Sequence, residues 1–394
     1  MKEILDDISR WEKAQQRIAL ARVVSLEGSG PRDSGAAMVV NEDGEVAGSV
    51  SGGCVEGAVV TEALEVLKTG ERKMVSFGYS DDEAFAVGLT CGGTINLFIE
   101  PLVREPLASQ PLASEPPQIY DLLEEALRKD RPVVLVTVVE RNNPSDTQSN
   151  PAPGDKLLIF PPSSDPADAF PTIYGTLGNS DLDRIVARDA LGELSVARTG
   201  IRHYGPCGEQ RVEDITVFVE SFAPSPLMVI FGAVDFTAAL AKVAKVLGYK
   251  VIVCDAREVF ATEQRFPMAD EVIVAWPDKV FERFGSDLGP NDAVCILTHD
   301  PKFDIPAVLQ SVETKVGYIG AMGSRRTHAK RCDLLREAGA TEEHIKRVMA
   351  PIGLDIGSRT PEETAVSVLA EIIALRTNTP AVSLRDSEGP IHRG

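Results

Sequence analysis

The sequence predicts an α/β protein: a doubly wound parallel sheet in its C-terminal part, preceded by an α+β body built from a tandem duplication. Three observations carry this. After residue 226, short apolar runs alternate with segments of helical spacing, starting from Leu227–Phe231 (LMVIF). Such alternation marks parallel strands joined by helical crossovers, and a continuous apolar run fits a strand buried on both faces. Before residue 223, four blocks recur in the same order. ALARVVSLEG, GAAMVV, EVAGSVSGGCVEGAVVTEAL and CGGTINLFIEPL are answered by VLVTVVERNN, GDKLLIF, TIYGTLGNSDLDRIVARDAL and CGEQRVEDITVFVESF. Finally, proline-rich segments separate the parts. Residues 101–117 read PLVREPLASQPLASEPP, and Pro224-Ser225-Pro226 forms a short hinge. Proline lacks an N–H and fixes φ, so 101–117 is a linker. The expected units are 1–100, 118–222 and 227–380, with a polar tail over 381–394.

Taken in order, each copy of the duplication reads strand, strand, strand, glycine turn, helix, strand, Cys-Gly, strand. The match pairs Gly48 with Gly175, Cys54 with Asp181 and Cys91 with Cys207. Two copies are too few for a solenoid and are expected to pack as one pseudo-symmetric body. In the C-terminal unit, Thr237–Leu247 has helical apolar spacing and stops at Gly248, a residue suited to a helix C′ position. Strands are expected at Lys250–Cys254, Glu271–Ala275, Ala293–Leu297 and Val316–Ile319. Helices are expected near 324–338, 342–349 and 361–376. The last carries a full start signal, with Thr360 at the N-cap, Pro361 at N1 and Glu363 at N3.

The chain has 394 residues with 40 Lys and Arg against 59 Asp and Glu, a formal net charge of −19. That balance opposes nucleic acid or an anionic membrane surface as partner. There is no run of eighteen apolar residues, and the acidic N-terminal stretch MKEILDDISRWEK is not a signal peptide, so a cytoplasmic location is expected. Six cysteines stand at positions 54, 91, 207, 254, 295 and 332 without a CxxC pair. Zinc-ribbon, thioredoxin and Cys-ligated Fe–S chemistry are therefore not indicated, and no metal site is expected.

Several motifs stand where ligands bind. Gly232 opens the turn after the first C-terminal strand, but Val234 occupies the place of the close-approach glycine, and Asp235 adds negative charge. Asp255, at the end of the next strand, stands where a ribose-binding carboxylate belongs; strand-end turn chemistry explains it equally. Gly323-Ser324-Arg325-Arg326 follows a strand and opens a helix. It reads as an anion site, with two solvated arginines as the plain alternative. The Gly353–Asp355 turn could hold a phosphate or ribose, or could simply need glycine. In the first copy, Arg32 puts a cation on a Gly-Ser-Gly-Pro turn. Ser51-Gly52-Gly53-Cys54 runs into a helix, whose N-terminus favours a thiolate. Cys91-Gly92-Gly93 forms a second glycine turn. The plain alternative is that both are small core residues, and their position beside glycine pairs favours the functional reading. Cys254, Cys295 and Cys332 lie in strand or helix patterns and read as core.

These pieces resemble the XdhC/CoxI family, the maturation factors of xanthine and CO dehydrogenases. The carriers are GSGPRDSGAAMVV, DGEVAGSVSGGCVEGAVV, CGGTINLFIEP, IFGA, VCDAR, THDPKFD, YIGAMGSRRTHAKR and PIGLDIGSRTPEETAVSVLAEIIALR, spread over 19–100 and 227–376. The resemblance implies an N-terminal XdhC/CoxI-type unit and a C-terminal Rossmann-like domain. It implies a protein that binds molybdenum cofactor, as molybdopterin or its cytidine dinucleotide form, and helps insert it into a molybdenum hydroxylase apoenzyme. It further implies contact with a cysteine desulfurase that supplies the terminal sulfur. Carried over by motif, the ligand-linked residues are Cys54, Cys91, the Gly232 turn, Asp255, Ser324-Arg325 and the Gly353–Asp355 loop. One departure matters: family members commonly read FGAGH where this chain reads Phe231-Gly232-Ala233-Val234-Asp235. A nucleotide at this edge, an NAD(P)-dependent oxidoreductase and a member with a lost ligand site thus remain as alternatives, and a homodimer is compatible with the chain.

Overall fold

The computed structural model describes residues 1–28, 30, 32–78, 93–102, 118–142, 151–162, 170–209 and 213–386. Cys91, Gly92 and most of the proline-rich 101–117 segment lie outside them. The chain divides into two compact units, Met1–Pro224 and Ser225–Ser387.

Unit 1 holds two five-stranded antiparallel sheets of identical topology. The first has β1 (Ile18–Glu27), β2 (Ala37–Asn41), β3 (Val46–Gly48), β4 (Lys73–Gly78) and β5 (Thr94–Pro101), in the order β3-β2-β1-β5-β4. The second has β6 (Val133–Arg141), β7 (Lys156–Phe160), β8 (Thr172–Thr176), β9 (Gly200–Tyr204) and β10 (Ile215–Phe222), in the order β8-β7-β6-β10-β9. The repeat extends to irregularities. The β1–β5 ladder skips Val24 and the β6–β10 ladder skips Val139, and both bulge residues join Phe98 and Phe218 in one small buried cluster.

Strand alternation places the helices of unit 1. On β1, Ala19, Ala21 and Val23 pack with α2 (Glu56–Thr69), whereas Ile18 and Leu20 face α1 (Leu5–Lys13) and α3 (Ile119–Arg128). The second sheet is covered on its other face by α4 (Ser180–Ser195), while Val133, Leu135 and Leu158 join α1 and α3. α1 and α3 thus share one apolar cluster with both sheets. Period-two alternation with apolar residues on both faces is what two buried sheet faces require.

Unit 2 is a six-stranded parallel sheet of β11 (Leu227–Phe231), β12 (Lys250–Asp255), β13 (Glu271–Val274), β14 (Ala293–Ile296), β15 (Tyr318–Ala321) and β16 (Val348–Met349). Its order is β13-β12-β11-β14-β15-β16, the dinucleotide-fold order. Met228, Ile230, Val251 and Val253 pack with α5 (Asp235–Val246) and α10 (Pro361–Arg376). Val229, Phe231, Ile252 and Cys254 face α6 (Pro277–Phe284), α7 (Pro301–Val312) and α8 (Arg325–Glu337). The sheet is therefore doubly wound, as its apolar runs predict.

Element ends depart from the sequence reading in several places, two of them at the last strands of the sheet. The expected helix over 342–349 stops at Lys346, forming the short α9 (Glu342–Lys346), because Val348 and Met349 pair in parallel with β15. The strand expected at Val316–Ile319 begins two residues later, at Tyr318, which pairs with Ala293. The start of α10 matches in full: Thr360 and Glu363 make the reciprocal capping box, with Pro361 in the first turn. Among the described residues no helix is long and apolar enough to cross a membrane.

Candidate functional site

In unit 1 the Ser49–Cys54 loop wraps around one carboxylate. Glu56, in the first turn of α2, accepts from Ser49 Oγ at 2.7 Å, from the N–H groups of Ser51 and Gly53 at 2.9 Å each, and from the Ser51 hydroxyl. Burial alone would raise this carboxyl. The hydrogen bonds from Ser51 and Ser49 outweigh it and hold the group at about 2. Ser51 is buried, and its Oγ in turn accepts from the N–H groups of Cys54 at 3.0 Å and Val55 at 2.9 Å. Gly52 and Gly53 have φ of 76° and 115°, which only glycine adopts readily. The half-buried Cys54 is thus fixed at the entrance of α2, as its position before the helix predicts. The loop N–H groups that an exogenous anion would need are already satisfied by Glu56 and by the hydroxyls of Ser49 and Ser51.

The second repeat shows the same device. Asp183 accepts from Thr176 Oγ1 and from the Leu177 N–H, each at 2.7 Å. Its position relative to Gly175 is that of Glu56 relative to Gly48, so the pairing of the two copies contains the signal that sequence reasoning missed. Cys207, the counterpart of Cys91, is exposed and lies 3.9 Å from Asn179 Nδ2, whose side chain caps α4. Arg32 pairs with Glu3 at 2.8 Å, and Gly93 is buried just before β5.

A second group escaped the sequence reading. Arg22, fully buried, forms ion pairs with Glu100 and Glu220, the last-strand glutamates of the two repeats. Lys156 Nζ reaches Glu100 at 2.6 Å, and the Tyr120 hydroxyl donates to the same carboxylate at 2.9 Å. Burial pushes Glu100 up, but Lys156 and Arg22 bring it below the usual carboxylate range; burial raises Glu220 despite Arg22. The signal was a lone arginine inside the apolar run ALARVV. In strand register Arg22 faces Ala37, while Thr137, its counterpart, faces Lys156, so the copies contribute these cations at different positions, and Arg72 of the first copy adds another 3.6 Å from Glu100.

In unit 2 the structure brings Gly232 and Asp255 together. Gly232, at φ 115°, donates to the Cys254 carbonyl at 2.8 Å, and the Ala233 N–H donates to Asp255 at 2.8 Å. Asp255 is also gripped by Arg257, through Nε at 2.9 Å and Nη2 at 2.7 Å. Next to this turn, at the C-terminal ends of β11 and β14 where the strand order reverses, lies a cavity of about 740 Å³. Ser324 caps α8, accepting from the Thr327 N–H at 3.1 Å. Arg325 and Arg326 are exposed, and the first turn of α8 holds no acid. The Gly353 N–H donates to Glu371 at 3.0 Å and a side chain there would strike Ser367, so packing on α10 accounts for the glycine; Asp355 is exposed. Cys254 and Cys295 are fully buried, and burial pushes the Cys254 thiol up to about 12.

Comparison with known proteins places this architecture. The model of the XdhC and CoxI family matches residues 11–78, and that of the XdhC Rossmann domain matches residues 228–372. The chain is 27% identical over 376 residues to a probable xanthine dehydrogenase subunit from Bacillus subtilis (strain 168), covering 93% of this chain and 96% of that one. It is 26% identical over 358 residues to the molybdenum cofactor insertion chaperone PaoD of Escherichia coli (strain K12), covering 91% and 83%. The uncharacterized protein YqeB of the same strain is 32% identical over 225 residues, 53% of this chain and 39% of that protein. The crystal structure of a xanthine dehydrogenase from Bacillus halodurans shares the fold, with a TM-score of 0.65 at 24% identity over 96% of this chain and 98% of that one. With one family model on the first repeat and its companion on the parallel-sheet unit, the chain belongs to the XdhC and CoxI family.

Proposed function

We propose that this chain is a maturation factor that binds molybdenum cofactor and assists its sulfuration and insertion into a xanthine dehydrogenase- or CO dehydrogenase-type apoenzyme. The observation that carries the reading is Cys54. It is a half-buried thiol fixed by Ser51 and Glu56 on a rigid glycine loop, in a chain similar over nearly its whole length to an insertion chaperone. Soft sulfur donors suit molybdenum in a sulfur-rich environment. Cys91 and Gly92 enter the proposal through their motif and lie outside the described residues. The bound group would supply the molybdenum centre, and this chain's part is to hold and present it.

Unit 2, taken by itself, offers a phosphate-binding donor set. Molybdopterin carries a phosphate, and the start of α8 offers two exposed guanidinium groups, a helix N-terminus and no competing acid. The Glu56 loop, in contrast, leaves no N–H for that phosphate. A cysteine desulfurase as sulfur donor, a cytoplasmic location and a homodimer belong to the same reading. A nicotinamide-dependent oxidoreductase gains support from the sheet order but lacks the glycine turn that such enzymes use.

The test is anaerobic titration of the purified protein with molybdenum cofactor, with NADH and NADPH in parallel. The expected result is retention of the cofactor, weakened about tenfold or more by Cys54→Ala with Cys91→Ala; separately, Arg325→Ala is expected to weaken phosphate binding by unit 2, read with inorganic phosphate as the probe. Unchanged retention in both single cysteine variants and in the double variant would remove the thiols from the proposal.

A further inference from the structure

The fold of unit 2 implies a dinucleotide at the point where its strand order reverses, but the residues there do not fit a pyrophosphate. The pyrophosphate of such a ligand sits on a helix N-terminus reached across a second glycine. Here that position is Val234, with a β-branched side chain on extended backbone (φ −117°, ψ 171°). Asp235 begins the helix and places a carboxylate at its positive end. The Ala233 N–H is spent on Asp255. The nearby cations are spent as well, since Arg257 grips Asp255 and Arg265 lies 3.6 Å from Asp235.

What the cavity does offer is an aromatic wall and a carboxylate. Trp276 is 49% exposed, a large apolar surface left open at a cavity rim. Its backbone is held extended by the following Pro277, and its ring packs 5.5 Å from Phe303. Phe303 lies in the first turn of α7, which Asp300 caps. Asp300 Oδ1 accepts from the Lys302 N–H at 3.0 Å, and Oδ2 accepts no hydrogen bond among the described residues. Asp300 lines the same cavity as Trp276. At about 740 Å³ the space lies within the range of small-molecule sites, roughly 300–1,000 Å³.

We infer that this cavity binds a fused-ring heteroaromatic with a 2-amino-4-oxopyrimidine edge, as in guanine or a pterin, stacked on Trp276 with that edge on Asp300, and that it rejects pyrophosphate-bearing dinucleotides. The edge presents an amino group beside a ring N–H, two donors that match one carboxylate, and stacking is indifferent to the rest of the ring. Adenine lacks the ring N–H and fills only half of the match. The inference concerns unit 2 alone and does not depend on the cysteines of unit 1.

Calorimetric titration of the full chain with guanosine, neopterin, adenosine and NADH tests it. Saturable binding of guanosine or neopterin is expected, with the tighter of the two naming the source of the ring. Adenosine should be weaker and NADH no tighter than adenosine. Trp276→Ala should weaken binding about tenfold or more while Trp276→Phe retains it, and Asp300→Asn, which keeps the helix cap, should abolish the preference over adenosine. Circular dichroism reports that each variant is folded. Tighter binding of NADH than of adenosine, no binding of any of the four, or equal affinity of folded Trp276→Ala and wild type would each overturn the inference. Because retention of molybdenum cofactor by Cys54 is read separately, loss of either result leaves the other standing.

Discussion

Arg22 illustrates how much one side chain can decide. Its guanidinium holds two glutamates, Glu100 and Glu220, that come from different repeats. Desolvating these charges is costly, and only the pairing offsets it. Arg22→Met would leave Lys156 and Arg72 to hold Glu100 and would leave Glu220 without its arginine. The expected loss is about 3–5 kcal/mol, the range found when one member of a buried pair is removed. It is measured by urea denaturation of unit 1 through Trp11 emission in a Trp276→Phe background. A loss below about 1 kcal/mol, the size of an exposed pair, would show that water reaches the cluster. Glu56 acts by the same logic at the Cys54 loop. The partners of Arg22 were not legible in a linear reading, because Glu100 and Glu220 lie 78 and 198 residues away and meet it only after folding; Glu56 lies within seven residues of its partners, and only the pairing of the two copies singles it out. Cys54 was legible, since a cysteine before a helix is a local pattern. The start of α8 was legible for the same reason: Ser324 and the two arginines are neighbours in sequence.

At the level of elements, the duplication rests on geometry as well as on resemblance between blocks. Gly48, the last residue of β3, and Gly175, the next to last of β8, occupy corresponding edge strands with φ of 80° and 87°. A Cβ on Gly48 would lie 2.4 Å from the Ala37 carbonyl oxygen, and one on Gly175 would lie 2.2 Å from that of Lys156. The two glycines therefore let β3 and β8 close against the neighbouring strand. Gly44 has a similar φ, 82°, but open space around it. Alanine at Gly44 should cost only backbone strain, about 1 kcal/mol. Alanine at Gly48 or Gly175 should cost more, about 2–4 kcal/mol, since the neighbouring backbone must also move. Thermal denaturation of the three variants checks the order. Equal losses at all three would show that the strand edges yield, and that the glycines are shared by the copies for φ alone. The paired Gly48 and Gly175, the apolar runs of unit 2 and the capping box at Thr360 were all readable. The end of the helix expected over 342–349 was not, because pairing of Val348–Met349 with β15 is a tertiary choice that overrides local helical spacing.

For the whole molecule, the decisive feature is that each unit has its own apolar clusters. Among the described residues, the clusters of unit 1 draw only on residues before 224, and those of unit 2 only on residues after 226. Cooperative unfolding follows shared cores, so each unit should melt on its own terms. The chain supplies one reporter for each, since Trp11 is 2% exposed in unit 1 and Trp276 lies at the cavity of unit 2. Trp276→Phe leaves Trp11 to follow unit 1, and Trp11→Phe leaves Trp276 to follow unit 2. Trp11→Phe also removes a hydrogen bond to Glu45 at 2.9 Å, so it weakens the unit it no longer reports on. Two midpoints are therefore expected, with Arg22→Met lowering the Trp11 midpoint and leaving the Trp276 midpoint in place. A single shared transition that Arg22→Met lowers for both reporters would mean that coupling between the units outweighs their separate cores. The cavity beside Trp276 could then no longer be treated as independent of the Cys54 loop.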